Sequence, residues 1–95
     1  MFLGAYRFDG DPAALLPAYD VLVAGFPQDG FELHACVVTA RGITVYDACP
    51  SREVFDEFSR GGEFAAAVAA AGLPAPVVEP LGEIHRVLAG KGALR

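Results

Sequence analysis

The chain has 95 residues, of which 54% are hydrophobic and 20% charged, with a formal net charge of −5: the make-up of one small folded domain. It is too apolar for disorder and too short for two cores, and its longest charge-free apolar run, Phe64 to Leu73, is half of the roughly 20 residues that cross a bilayer. A pI near 4.7, with six Arg and one Lys scattered along the chain, argues against nucleic acid and against an anionic membrane surface as partners.

Phe2 to Phe8 reads as a first strand, with Phe2, Gly4, Tyr6 and Phe8 on one face and Leu3, Ala5 and Arg7 on the other. Asp9-Gly10-Asp11-Pro12 breaks it and starts a helix, because the Asp11 carboxylate can accept from orphan N–H groups and Pro12 lacks the N–H that would need a partner. Leu15, Leu16, Tyr19, Leu22, Val23 and Phe26 recur at helical spacing. Pro17 either kinks this helix or marks where its regular part begins. Gly25, Pro27 and Gly30 turn the chain into a second strand, Phe31 to Thr39, and a tight turn at Ala40-Arg41-Gly42 leads to a third, Ile43 to Cys49. Ser51 caps a helix through Val54, Phe55 and Phe58, which Gly61-Gly62 interrupts before a second helical piece, Glu63 to Ala71. Gly72 stops that piece, and Val77 to Leu88 reads as a fourth strand whose Pro80 and Gly82 mark an edge or a bulge. Ala89 to Arg95 is a polar tail.

Strand, helix, strand, strand, helix, strand, joined by right-handed crossovers, is an α+β domain spanning residues 1–88. It is a ferredoxin-like βαββαβ fold, a four-stranded antiparallel sheet with its helices on one face. The face without helices is expected to carry Glu32, His34, Cys36 and Val38, with Ile43, Val45 and Asp47 if the turn is even-numbered. That face is half apolar, and the mean hydropathy of +0.39 is high for so short a chain, so a homodimer through the sheet is expected. Cys36 and Cys49 are too few for a disulfide framework, and Arg7 and Asp9 interrupt any leader-like apolar run. Reduced thiols and a cytoplasmic location follow as expectations.

Several stretches resemble the dimeric α/β-barrel superfamily, within it small proteins of the antibiotic-biosynthesis-monooxygenase and stress-responsive type. They are Gly10-Asp11-Pro12 leading to Leu16-Pro17-Ala18-Tyr19-Asp20, and Ser51-Arg52-Glu53-Val54-Phe55-Asp56-Glu57-Phe58. The break at Gly61-Gly62-Glu63-Phe64 and the Gly72-Leu73-Pro74 exit add to them. The likeness runs from residue 2 to residue 88 on structural motifs of low specificity. It implies a homodimer whose two sheets face each other as a barrel, with a ligand cavity between the sheet and helices of each subunit. It implies no single reaction, since the fold hosts oxygenases, haem degraders, cyclases, isomerases and regulators.

Cofactor-free monooxygenases and haem degraders of that superfamily rely on an Asn and a Trp; the chain has neither, which disfavours the oxygenase reading. Polyketide cyclases resembling this fold use a His–Tyr pair to abstract a proton and hold an enolate oxygen, work that needs a base titrating near neutrality beside a neutral donor. The candidate catalytic residues are His34, Tyr46 and His85, and the candidate ligand-binding residues are Tyr6, Tyr19, Phe55 and Phe58. The plainer reading of Tyr6 and Tyr46 is as core residues with hydroxyls at the rim. Across the hairpin, either His34 faces Asp47, or Cys36 faces Asp47 and His34 faces Cys49. The spacing of these donors matches no zinc module, so no metal and no cofactor are expected. Arg7 and Arg86 either orient an anionic ligand or pair with Glu79 and Glu83.

The reading of the sequence is therefore a small homodimeric protein that binds an apolar or aromatic metabolite, its reaction unassigned. The alternative is a cofactor-free polyketide cyclase or isomerase, and the competing class a non-catalytic ligand-sensing module. A cavity of a few hundred cubic ångströms where His34 or His85 meets a Tyr hydroxyl favours the enzyme. Filling of that space by Leu15, Tyr19, Phe55, Phe58 and Phe64 favours the module.

Overall fold

A single face of large apolar side chains decides where the helices sit. Phe2, Tyr6 and Phe8 alternate along β1 (Phe2–Asp9), and the antiparallel register sets Ile43 and Val45 of β3 (Gly42–Cys49) beside Phe8 and Tyr6. The computed structural model describes residues 1–27 and 32–90. Its other elements are α1 (Pro12–Ala24), β2 (Leu33–Thr39), α2 (Arg52–Arg60), α3 (Gly62–Ala71) and β4 (Val77–Glu83). All strand pairings are antiparallel and the sheet order is β2-β3-β1-β4, an α+β architecture consistent with a ferredoxin-like arrangement. Leu15 and Leu22 of α1, Phe55 of α2, and Phe64 and Val68 of α3 close the core over this face.

Local chemistry places the element boundaries. Asp11 is extended and its carboxylate accepts from the Ala13 N–H at 3.0 Å, so α1 starts at Pro12. The helix then runs through Pro17, which is exposed, so the regular part does not begin there. Ser51 Oγ accepts from the Val54 N–H at 3.3 Å to cap α2, and Gly61 ends that helix and opens α3. Ala40-Arg41 is a two-residue turn, because Thr39 pairs with Gly42. Gly42 sits at φ +152°, and a Cβ there would lie 2.1 Å from the Phe8 carbonyl oxygen, so only glycine lets β1 approach the hairpin this closely.

Two expectations are corrected. The face carrying His34, Cys36, Ile43, Val45 and Asp47 is the covered one: Ile43 is 0% and Asp47 6% exposed. The reason is register, since these positions fall on the Phe2–Tyr6–Phe8 side, and burying that side outweighs any other docking of the helices. The uncovered face instead presents Leu3, Ala5 and Arg7 of β1, Thr44, Tyr46 and Ala48 of β3, Ala35 and Val37 of β2, and Val77 and Glu79 of β4. The fourth strand ends at Glu83 and not at Leu88. Beyond the Phe2–Glu83 pair one backbone bond remains among the described residues, from the Ile84 N–H to the Met1 carbonyl, and the register slips at Leu81 where a bulge lets the strand skip one residue. Arg7 lies on the uncovered face, where it forms an ion pair with Asp9 at 3.4 Å and donates from Nη1 to Glu79 at 3.4 Å. This is the second of the two readings open for it, pairing with carboxylates of its own strand and its neighbour. The turn expected at Gly30, the strand start at Phe31 and residues 91–95 of the tail lie outside the described residues.

A Cβ on Gly4 would lie 1.9 Å from the Phe55 ring, which is itself wedged against Phe2 and Tyr6, whereas Gly62 has open space around it. Gly4→Ala is therefore expected to lower unfolding stability by about 1–3 kcal/mol through overpacking, and Gly62→Ala to leave it unchanged or raise it by up to about 1 kcal/mol. Urea titration of the two variants beside the parent protein checks both signs.

Candidate functional site

Cross-strand pairing brings His34 opposite Asp47, the first of the two arrangements open to the hairpin. Their side chains point toward the helices, and His34 Nδ1 bonds Asp47 Oδ1. On the other side of the imidazole, Nε2 meets the Tyr19 hydroxyl of α1 at 2.5 Å, with the two rings nearly parallel at 13°. A carboxylate can only accept, so Nδ1 carries the hydrogen and Nε2 is left to accept from the Tyr19 O–H. The result is a chain Asp47–His34–Tyr19 in which the buried carboxylate fixes both the tautomer and the angle of the imidazole.

The chain opens on a cleft between α1 and the sheet. Phe8, Leu22, Val23, Phe26, Phe58 and Phe64 make its wall, with Tyr6 of β1 contributing a second hydroxyl. Tyr6 is 2% exposed, and its hydroxyl has no hydrogen-bond partner among the described residues. Burial is the main force on both phenols. It pushes Tyr19 up to about 12, helped by Cys36, Asp47 and Asp20, and raises Tyr6 further, with Asp47 and Cys49 adding to the effect. Both therefore stay neutral donors at physiological pH. Burial also pushes the Cys36 and Cys49 thiols up, away from the thiolate form that makes a cysteine reactive.

The free space in the cleft is about 30 Å³, far short of a preformed ligand pocket, and Tyr19, Phe58 and Phe64 are among the side chains that fill it. On volume the arrangement favours the non-catalytic module, while the meeting of His34 with a Tyr hydroxyl is the feature the enzyme reading requires. Phe26 and Phe58, both partly exposed, pack edge to face in its wall with centroids 5.9 Å apart.

Of the residues singled out in the sequence, His34, Tyr6, Tyr19 and Phe58 come together at this cleft. Phe55 packs over Gly4 between Phe2 and Tyr6 and lies outside the cleft wall. Tyr46 points to the uncovered face, paired with Ala5 and Ala35. His85 is exposed past the end of β4, beside Leu3, Leu81 and Arg86. Phe64, expected among the side chains that could fill this space, is in the wall; Phe8 and Val45 join it without having been named as site residues, although strand alternation already marked them as apolar-face residues. Among the described residues no group of three or more His, Cys, Asp or Glu is placed to hold a metal ion, and no helix is long and apolar enough to cross a membrane. Comparison of the chain with protein-family models, with curated proteins and with solved structures finds no match.

The raised Tyr19 value gives a pH signature. An unfolded Tyr loses its proton near pH 10, whereas the folded phenol keeps it to about 12, so its contribution is complete below pH 10 and is lost as pH climbs between those values. Tyr6 acts in the same direction. Urea unfolding followed from pH 9 to 12 is expected to show a decline that is measurably shallower in Tyr19→Phe than in the parent chain.

Proposed function

We propose that the cleft binds a small neutral apolar or aromatic metabolite and moves a proton on it. His34 is the base in this reading, Asp47 its positioning residue, and Tyr19 the hydroxyl that meets the substrate. The observation that carries it is the Asp47–His34–Tyr19 chain, whose hydroxyl end opens into an apolar cleft. As Tyr19 oxygen accepts a proton from an activated substrate C–H, its own proton passes to His34 Nε2. The C–H electron pair stays on the substrate as an enolate, and the imidazolium is held by the Asp47 carboxylate. The same path, run in reverse, delivers the proton to another atom, so the net reaction is an isomerisation or an intramolecular cyclisation without redox change. The cofactor-free cyclase or isomerase class, and the resemblance to small dimeric α/β-barrel proteins, fit this chemistry.

The test is deuterium exchange at the α-carbon of acetophenone and related aryl ketones in D₂O, followed by NMR alongside a binding titration. General-base catalysis predicts accelerated exchange that falls by about 10²–10⁴-fold in His34→Gln. Binding without acceleration makes the cleft a ligand-sensing site. Absence of both would overturn the assignment of the cleft.

The uncovered face supports a homodimer through the sheet. Val37 and Val77 lie on it 43% and 44% exposed, beside Leu3, Ala35 and Tyr46. Free Cys36 and Cys49 fit a reducing, cytoplasmic compartment. Sedimentation at micromolar concentration is expected to give twice the 9.9 kDa chain mass, and Val37→Asp to shift it toward monomer. A parent chain that stays monomeric sinks the dimer.

A further inference from the structure

We infer that Tyr6 selects the ligand: its hydroxyl hydrogen-bonds a neutral acceptor oxygen, such as a ketone, aldehyde or quinone carbonyl, on an otherwise apolar molecule seated in the cleft. This rests on the ligand-binding reading of the cleft and adds to it the chemical class of what is bound. Tyr6 shares one face of β1 with Phe2 and Phe8, so two of the three aromatic positions there are Phe and one bears a hydroxyl. That hydroxyl is buried in the cleft wall with no partner among the described residues, and an unpaired buried donor is a cost that a Phe of the same shape avoids. The ring has little freedom to seek a partner elsewhere, because Phe64 at 5.0 Å and Phe55 at 5.7 Å hold it from two sides. The second phenol in the cleft, Tyr19, already gives its hydrogen to His34.

The charges around the cleft define the acceptor. Among the described residues no Lys or Arg lines it and Asp47 is the one carboxylate, so a carboxylate or phosphate ligand would meet repulsion with no cation among them to offset it. A neutral carbonyl meets no such penalty and accepts directly from the phenol. Burial keeps Tyr6 protonated, so that it always presents a donor.

A matched pair of probes tests this: acetophenone, which has the acceptor, and ethylbenzene, which has nearly the same shape without it. Each is titrated by NMR against the parent chain and Tyr6→Phe, and the thermal midpoint of both ligand-free proteins is measured. The expected result has opposite signs. Tyr6→Phe unfolds at a higher temperature than the parent, yet binds acetophenone about 10- to 100-fold more weakly while its affinity for ethylbenzene is unchanged. A parent chain that binds the two probes equally overturns the role of Tyr6 and leaves the cleft reading intact. So does a Tyr6→Phe protein that loses stability and keeps its preference for acetophenone. Binding of neither probe overturns both.

Discussion

The two-residue turn at Ala40-Arg41 settles which side of the sheet each β2 and β3 side chain faces. Side chains alternate along a strand, so a slip of one position would move His34 away from Asp47 and send one of them to the uncovered face. Gly42 holds the turn in place, because its missing Cβ is what lets Phe8 and Asp9 of β1 pack against the hairpin. With that register set, a buried carboxylate comes to lie under the helices, where it must be paired or hydrogen-bonded to be tolerated. His34 is the group that pairs it, and Tyr19 of α1 completes the chain from the other layer.

The same packing accounts for the character of the cleft. Five further aromatic rings, Tyr6, Phe8, Phe26, Phe58 and Phe64, line the cleft with the polar chain, which limits competing solvent and strengthens the hydrogen bonds inside. It also leaves the space nearly full. The cleft is thus ordered in its polar atoms by the Asp47–His34–Tyr19 bonds and filled by its apolar ones.

Much of this was written in the chain. The caps at Asp11 and Ser51, the stops at Gly61 and Gly72 and the alternation of Phe2, Tyr6 and Phe8 are local signals, carried by neighbouring residues, and they place the elements to within a few positions. His34 opposite Asp47 was one of two pairings open on paper, because a hairpin register is a short-range property but its turn length was not legible to the residue. Less legible was the end of the fourth strand, since Pro80 and the bulge at Leu81 weaken alternation as a guide and the number of pairs depends on the distant β1.

By itself the sequence determined the order and type of the elements, the α+β class and a short set of His, Tyr and Asp candidates, because these follow from spacing between residues close in the chain. Only the tertiary structure decided which face the helices cover, and with it the fate of each candidate. Tyr19 and His34 are 15 residues apart and meet only when α1 docks on the sheet. Tyr46, one residue from Asp47, is carried to the opposite face by the alternation that brings Asp47 inward. Docking is governed by the total apolar area that a face can bury, a sum over the whole sheet that no single stretch of sequence contains.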